Sequence, residues 1–474
     1  MTAIDNWVWV PTNAPVAQSR TDDIWFFDEN VGWLLNSNGQ VCKTIDGGNN
    51  WTQKLFVDPG APANPYLRCM AWPSRKVGWV GAVTQFYEGK NYLEILLHKT
   101  EDGGETWRTM KNMPQESPAG ICGAYAVNDS ILYGSGTNDP NLPGKGVVKT
   151  SDGGENWQFI DLSGFADNLI DCYFIDENIG WVVGGKIDLT CPDPAPSAGY
   201  AQYAKLKPVV LKTTDGGKTW VNKAAGVQGF ICGEWGWKIQ WLDALHGYVS
   251  LENFSAAAIL TTNDGGETWL RRPVIDVTGQ QINLDLEGVG FITPDIGWVG
   301  GWGDKFEGLK NSSTKDGGKT WIAEDSIPGN PSSDPRNRIN RYRFVGSPPN
   351  FGYCSGHSVY KRGTPEIAAA RASAPSRPRP AGLSLSHRSY ETARSVEISY
   401  TLEQDASPVF VGIWNHFAFH VRTLVDRKVQ SAGRHTVTWD GTDKKGVRLA
   451  GGKFICRISV NGTSAESETI HLPE

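Results

Sequence analysis

The chain has 474 residues, a formal net charge of −6, 55 Gly and 20 Trp. The acidic balance excludes a sequence-independent nucleic-acid binder, which needs a basic footprint. No run of 18 apolar residues offers a transmembrane helix, so no membrane insertion is expected. The start, Met1-Thr-Ala-Ile-Asp-Asn6, has neither a charged leader nor a long apolar segment. A cytoplasmic location is therefore expected, or export if the chain was processed.

Taken in chain order, two signatures interleave. The first reads T-x-D-G-G-x-[NT]-W and occurs six times, at 44–51, 100–107, 150–157, 213–220, 262–269 and 314–321. Its starts are 49 to 63 residues apart. Asp-Gly-Gly suits a tight hairpin turn, because glycine takes positive φ at little steric cost. The aspartates Asp46, Asp102, Asp152, Asp215, Asp264 and Asp316 are expected to accept hydrogen bonds from their own turns. The tryptophans Trp51, Trp107, Trp157, Trp220, Trp269 and Trp321 are large enough to fill gaps between neighbouring sheets. Both sets are read as structural.

The second signature lies upstream of the turns. It is Gly-Trp at Gly32-Trp33, Gly78-Trp79, Gly180-Trp181 and Gly297-Trp298, and Gly-Tyr at Gly247-Tyr248 and Gly352-Tyr353. Ile131-Leu132-Tyr133 is a degraded version. Each unit therefore reads as four strands: one before the Gly-aromatic pair, one containing it, one entering the Asp turn and one after the turn Trp. The seventh unit, from about Arg338 to Lys361, lacks its last strand, and Trp7-Val8-Trp9-Val10 can supply it. The expected fold is all-β: a seven-bladed β-propeller closed by both chain ends, which protects the sheet edges, followed by a small Ig-like β-sandwich.

These turns resemble the Asp-box (BNR) repeats of sialidases, sortilin-type receptors and xyloglucanases. With the Gly-Trp signature and the run Arg338-Ile-Asn-Arg341-Tyr-Arg343-Phe, the propeller resembles the photosystem II stability/assembly-factor family. That resemblance implies a protein-binding assembly role. Its sialidase relatives' Phe-Arg-Ile-Pro segment is absent here.

Residues 363–382 alternate Pro, Ala and Arg and read as an extended linker. The expected domains are 1–362, the linker 363–382, and 383–474. The last part returns to strand periodicity, as in Val396-Glu-Ile398-Ser-Tyr400. Its run Trp439-Asp440-Gly441-Thr-Asp443-Lys-Lys-Gly446, with Gly452-Lys-Phe454, resembles the Ig-like module of the flagellar hook-capping FlgD family. The resemblance implies an interaction or sorting role. His416 and His420 alone make too weak a ligand set for a metal site.

The eight cysteines contain no C-x-x-C pair and sit in apolar contexts. Buried free thiols are expected, with no metal and no cofactor.

Aligning the blades on the Gly-aromatic pair brings a polar ring into register where the inner strands begin. It holds Asp22 and Asp23, Arg68 and Cys69, Cys122, Asp171, Lys238, Asp285 and Glu287, and Arg341 and Arg343. Loops on that face add Tyr87, Tyr203, Glu234, Trp235, Trp237 and Trp302. The candidate partner or ligand contacts are Arg68, Tyr87, Tyr203, Glu234, Trp235, Trp237, Lys238, Trp302, Arg341 and Arg343, since long loops on a rigid scaffold carry function. The leading reading is a protein-binding assembly scaffold using this channel-mouth face. The alternatives on the same face are a carbohydrate-binding lectin, a site for a small-molecule or glycan ligand, a lyase or cyclase acting on a small aromatic substrate, or a glycoside hydrolase, with Asp171, Asp285 and Glu287 as the carboxylates two of which glycoside hydrolysis requires.

Overall fold

The computed structural model describes residues 8–17, 20–58, 65–84, 93–194, 201–302, 311–324, 338–346, 349–363, 383–415, 420–460 and 464–473. Seven four-stranded antiparallel sheets form the propeller. Blade 1 runs Asp23–Phe26, Gly32–Leu35, Gln40–Thr44 and Thr52–Phe56, and blades 2 to 6 repeat that order. In blade 7, Ile339–Gly346, Pro349–Gly356 and Val359–Gly363 are completed by Val8–Pro11, whose Trp9 pairs with Arg362. The ring is thus closed by the N-terminal strand, as the repeat count requires. Residues 364–382 of the expected linker lie outside the described residues, as do Trp7, Tyr87 and His416.

The Gly-aromatic signature has a direct steric cause. Gly32, Gly180 and Gly297 face Phe26, Phe174 and Phe291 across the first ladder of their blades. A Cβ on these glycines would fall 2.2, 2.1 and 2.4 Å from a ring carbon. The ring lies flat where the side chain would be. In five blades the aromatic of the signature also packs against a ring of the next blade. Tyr133 stacks on Phe174 at 3.6 Å, Tyr248 on Phe291 at 3.7 Å, and Tyr353 on Phe26 at 3.4 Å. Trp33 stacks on Trp72 at 4.4 Å and Trp181 meets Trp241 at 4.0 Å. Blade 3 explains its own degraded signature: Leu132 replaces the glycine, and Ala126 stands opposite in place of the aromatic. The pair keeps its volume while exchanging which strand supplies it.

Gly180→Ala is therefore expected to destabilise by about 1–3 kcal/mol, the usual cost of overpacking. The double change Gly180→Leu with Phe174→Ala, imitating blade 3, should recover part of that loss. Thermal unfolding of both variants checks this, and a double variant less stable than the single one would refute it.

The Asp turns are self-contained. In each copy the threonine hydroxyl donates to the aspartate and accepts from the second glycine's N–H; in the first, Thr44 Oγ1 donates to Asp46 Oδ1 at 3.0 Å and accepts from Gly48 N at 2.9 Å. Both glycines of every copy have positive φ, 68° and 86° in the first. Hydrogen bonds from the backbone and side chain of Asn156 hold the Asp152 carboxyl down at about 2. A lysine just before four of the boxes stitches each blade to the next. Lys43, Lys99, Lys149 and Lys212 donate to the carbonyls of Gly103, Gly153, Gly216 and Gly265 at 2.8–2.9 Å. Each ammonium also sits 5.0–5.2 Å from the ring of Trp33, Trp79, Tyr133 or Trp181, a cation–π geometry.

The C-terminal module is a sandwich of a three-stranded and a four-stranded sheet. Its core packs Val396, Ile398, Val411, Ile413 and Ile458 around fully buried Trp439. The W-D-G turn is closed by Trp439 Nε1 donating to Thr442 O at 2.9 Å, with Gly441 at φ 74°.

One expectation about the cysteines is corrected. Cys191 and Cys232 form a disulfide; Cys42, Cys69, Cys122, Cys172, Cys354 and Cys456 are free and buried. Cys191 lies on the long hairpin loop of blade 4, and Cys232 on the loop leading into blade 5. The hairpin folds over the start of the next blade and brings together two thiols 41 residues apart.

Candidate functional site

The inner strands bulge where they meet the channel. The ladder register shifts between Leu67 and Cys69, Leu169 and Asp171, Gly236 and Ile239, Leu286 and Gly288, and Ile339 and Arg341. A bulge re-aims side chains, so a strand can send adjacent residues toward the axis. Blade 3 offers no charge here. Its Gly123 instead lets Asp171 approach, since a Cβ there would lie 2.6 Å from the Asp171 Cα.

The polar ring predicted from the repeat alignment is brought together, and it is a buried ion-pair network. Near the mouth, Arg68 pairs with Asp22, and Arg20 bridges Asp22 at 3.7 Å and Glu287 at 2.5 Å. Deeper, Arg341 holds Asp171 at 2.9 Å and Asp23 at 3.1 Å, and Arg343 reaches Asp23 at 3.3 Å. Asp23 Oδ2 also accepts from Met70 N, and Asp171 Oδ2 from Ile239 N. Blades 1, 2, 4, 6 and 7 are cross-tied through charge.

Burial alone would push Asp23 up, but Arg341, Arg343 and Lys238 outweigh it and hold its carboxyl below the ordinary value. Burial, reinforced by Arg341, pulls the Lys238 ammonium down to about 8. The catalytic candidates are thus committed elsewhere: Asp171 to Arg341 and Glu287 to Arg20. Asp285 stands beside Glu252 and Glu287, and burial together with Glu287 pushes it up to about 8. Glu252 is raised well above its usual range by burial and then by Asp285 and Glu287. Asp285 also has φ 55°, a left-handed conformation that Asp and Asn tolerate best among side-chain-bearing residues.

Asp285 carries a proton in the folded chain that the unfolded chain releases. Its contribution to stability is full below the ordinary carboxyl range and is lost as pH rises toward about 8. Between pH 5 and 8 the native chain should lose stability on the order of a few kcal/mol through this group. Asp285→Asn accepts the same φ and should make the profile shallower, with buried Glu252 still contributing a fall. Superimposable melting profiles across that window would refute the assignment.

The aromatic candidates are placed at the same face but not as an open platform. Trp237 lies under the Arg68 guanidinium at 4.7 Å, and Trp302 under those of Arg20 and Arg338 at 4.5 and 3.9 Å. Trp235 stacks on Tyr203 at 5.0 Å. Glu234 receives Arg271 at 2.8 Å. Tyr203, Trp235, Trp237 and Trp302 are all buried; Trp237 and Trp302 are the floor on which channel arginines rest. Arg20, Glu252 and Arg338 belong to this site and were not among the sequence candidates. Glu252 had a signal, the alternation Ser250-Leu-Glu252, which marks one polar face of a strand.

Among the described residues this face exposes single apolar side chains at Val16 and Val277 and a group of three on the rim of blade 4. Phe165, Ile187 and Leu189 are exposed, Leu189 at 85%. Ile187 N donates to Asp167 Oδ2, Lys186 Nζ donates to Ser163 O, and the disulfide ties Cys191 to Cys232 at the entry to blade 5. Among the described residues, no helix is long and apolar enough to cross a membrane, and no group of three or more His, Cys, Asp or Glu side chains is arranged to hold a metal.

Residues 1–121 match the family described as Photosynthesis system II assembly factor YCF48, and residues 386–466 match the FlgD Ig-like domain. The Photosystem II assembly lipoprotein Ycf48 of Synechococcus sp. (strain CC9902) is 35% identical over 86 residues, 17% of this chain and 20% of that protein. The match therefore spans about one fifth of that relative's length. A solved structure of YCF48 bound to a D1 peptide aligns with 76% of this chain and 97% of its own, at 16% identity and TM-score 0.49. The Niastella koreensis GH74 enzyme aligns with 98% of this chain and 71% of its own, at 12% identity and TM-score 0.50, a likeness of fold alone. The chain is an Asp-box β-propeller that resembles the photosystem II assembly-factor family, joined to a FlgD-like Ig module.

Proposed function

We propose that this chain is a protein-binding assembly scaffold. A rigid propeller presents the rim of blade 4, on the channel-mouth face, to an apolar segment of a partner protein. The observation that carries this reading is the division of that face. Its charges and large aromatics are consumed internally, while Phe165, Ile187 and Leu189 stay exposed on loops held by hydrogen bonds and a disulfide. Preorganised apolar side chains are what a protein interface selects for. The match to an assembly-factor family points the same way.

The disulfide also favours an oxidising compartment over the cytoplasm, and the Synechococcus relative is described as a lipoprotein. We infer that the chain works outside the cytoplasm.

The test is capture of the tagged full chain from its own host at moderate salt, followed by native mass measurement. A stoichiometric protein partner, lost with Phe165→Asp plus Leu189→Asp and retained with Val277→Asp, is the expected result. A free monomer throughout, or a partner indifferent to the rim changes, would overturn the reading.

A further inference from the structure

In an isolated β-sandwich the outer face of each sheet meets water. Here one outer face does not. On strands Ala406–Trp414 and Gly452–Val460, the side chains of Val409, Val411, Ile413, Cys456 and Ile458 point into the sandwich core. The alternate residues point the other way, yet Phe410 is 4% exposed, Trp414 1%, Ile455 4%, Arg457 1% and Ser459 3%. Two aromatics and an arginine on an outward face signal a contact rather than a solvated surface.

Arg457 identifies what lies opposite. Its guanidinium sits 4.7 Å from the Trp414 ring on its own module and 5.0 Å from the ring of Tyr66 on the propeller. Tyr66 opens the inner strand of blade 2, two residues before Arg68, and is itself 3% exposed. The arginine therefore stands over the channel mouth, where Asp22 attracts it and Arg20 repels it. Burial pulls Arg457 down to about 10, the sign of a cation taken out of water at this seam.

We propose that the Ig-like module is a docked cap that closes the channel mouth of its own propeller, with Arg457 as the anchoring side chain between Trp414 and Tyr66. The cap leaves the blade 4 rim outside the arginine seam. A partner that reaches the channel mouth itself must first displace the module; that consequence rests on the scaffold reading above, whereas the capping rests on the contact alone. Arg457 is well placed for such an exchange. It projects from the outer face of the sandwich and takes no part in the module's core, so the module can leave without unfolding.

Hydroxyl-radical footprinting of the intact chain reads the seam without any partner. In the native protein Tyr66, Phe410 and Trp414 should be oxidised several-fold more slowly than exposed Leu189 and Val277. In Arg457→Glu, labelling of Tyr66 and Trp414 should rise together, while Trp439 in the sandwich core stays protected. If Trp439 is labelled as well, the variant has unfolded the module. Tyr66→Ala then decides from the propeller side, and should expose Trp414 with Trp439 still protected. Fast labelling of Tyr66 and Trp414 in the native chain, or no rise at Trp414 in either variant, overturns the cap. Failure to find a partner in the capture experiment leaves these outcomes unchanged, so the two readings fail separately.

Discussion

Replacing Arg341 by methionine is expected to destabilise the propeller by about 3–5 kcal/mol, the cost of leaving a buried ion pair half-broken. Arg341 ties blade 7 to blade 4 through Asp171 and to blade 1 through Asp23, and all three groups are almost fully buried. Asp171 has no second ion pair among the described residues. Asp23 keeps Arg343 and, at longer range, Lys238. Most of the loss should therefore trace to Asp171. The pH dependence separates this from simple loss of packing. In the native chain Asp23 is held low, so the stability it contributes is present above the ordinary carboxyl range and is lost as pH falls through its lowered value. Without Arg341 burial weighs more heavily on Asp23, which should take up a proton more readily. The variant should be closest to the native protein near pH 5 and furthest from it near pH 8. Arg341→Lys keeps the charge but cannot reach two carboxylates with one fork, so it should fall between. A methionine variant that melts with the native protein at pH 8 would show that the channel network is not holding the ring.

Trp321→Ala is the second large effect, at about 3–5 kcal/mol for loss of a fully buried aromatic. Trp321 is 1% exposed and meets Phe291 edge-on at 6.2 Å. The same change at Trp107 should cost less. Trp107 is only half-buried, although it meets Trp33 and Trp72 edge-on at 6.2 and 5.8 Å. The six turn tryptophans share a signature but not a depth, so the ranking Trp321 over Trp107 is the test. Equal losses at both positions would mean that the signature, rather than burial, sets the energy. Chemical denaturation of the two variants measures it directly.

The polar ring was legible because it is periodic. Once the blades are aligned on the Gly-aromatic pair, Asp23, Asp171 and Arg341 fall at equivalent positions, and the fold places them within one ion-paired cluster. Which of its charges pair was not legible, because Arg341 reaches partners 170 and 318 residues away in sequence. Trp235, Trp237 and Trp302 belong to neither signature, and extra aromatics beside a channel read as an open binding platform. The structure lays arginines over two of them and a tyrosine against the third. Sequence distinguishes an aromatic that belongs to the repeat from one that does not; it carries no measure of how deep the channel mouth lies. Cys191 and Cys232 escaped for the same reason, since nothing local to either marks a hairpin that folds over the next blade.

By itself, the sequence determined the strand order of each blade, the number of blades, the closure by Val8–Pro11 and the identity of the Asp turns. Each of these follows from short-range sterics that repeat: positive φ in a two-glycine turn, and a ring lying where a glycine has no side chain. Only the tertiary structure decided which charges neutralise one another, that two cysteines are joined, and that Arg457 of the second module stands over Tyr66 of the first. Those outcomes depend on distances between residues far apart in the chain, where burial makes a charge or a ring costly to leave without a partner and so selects the one the fold brings near.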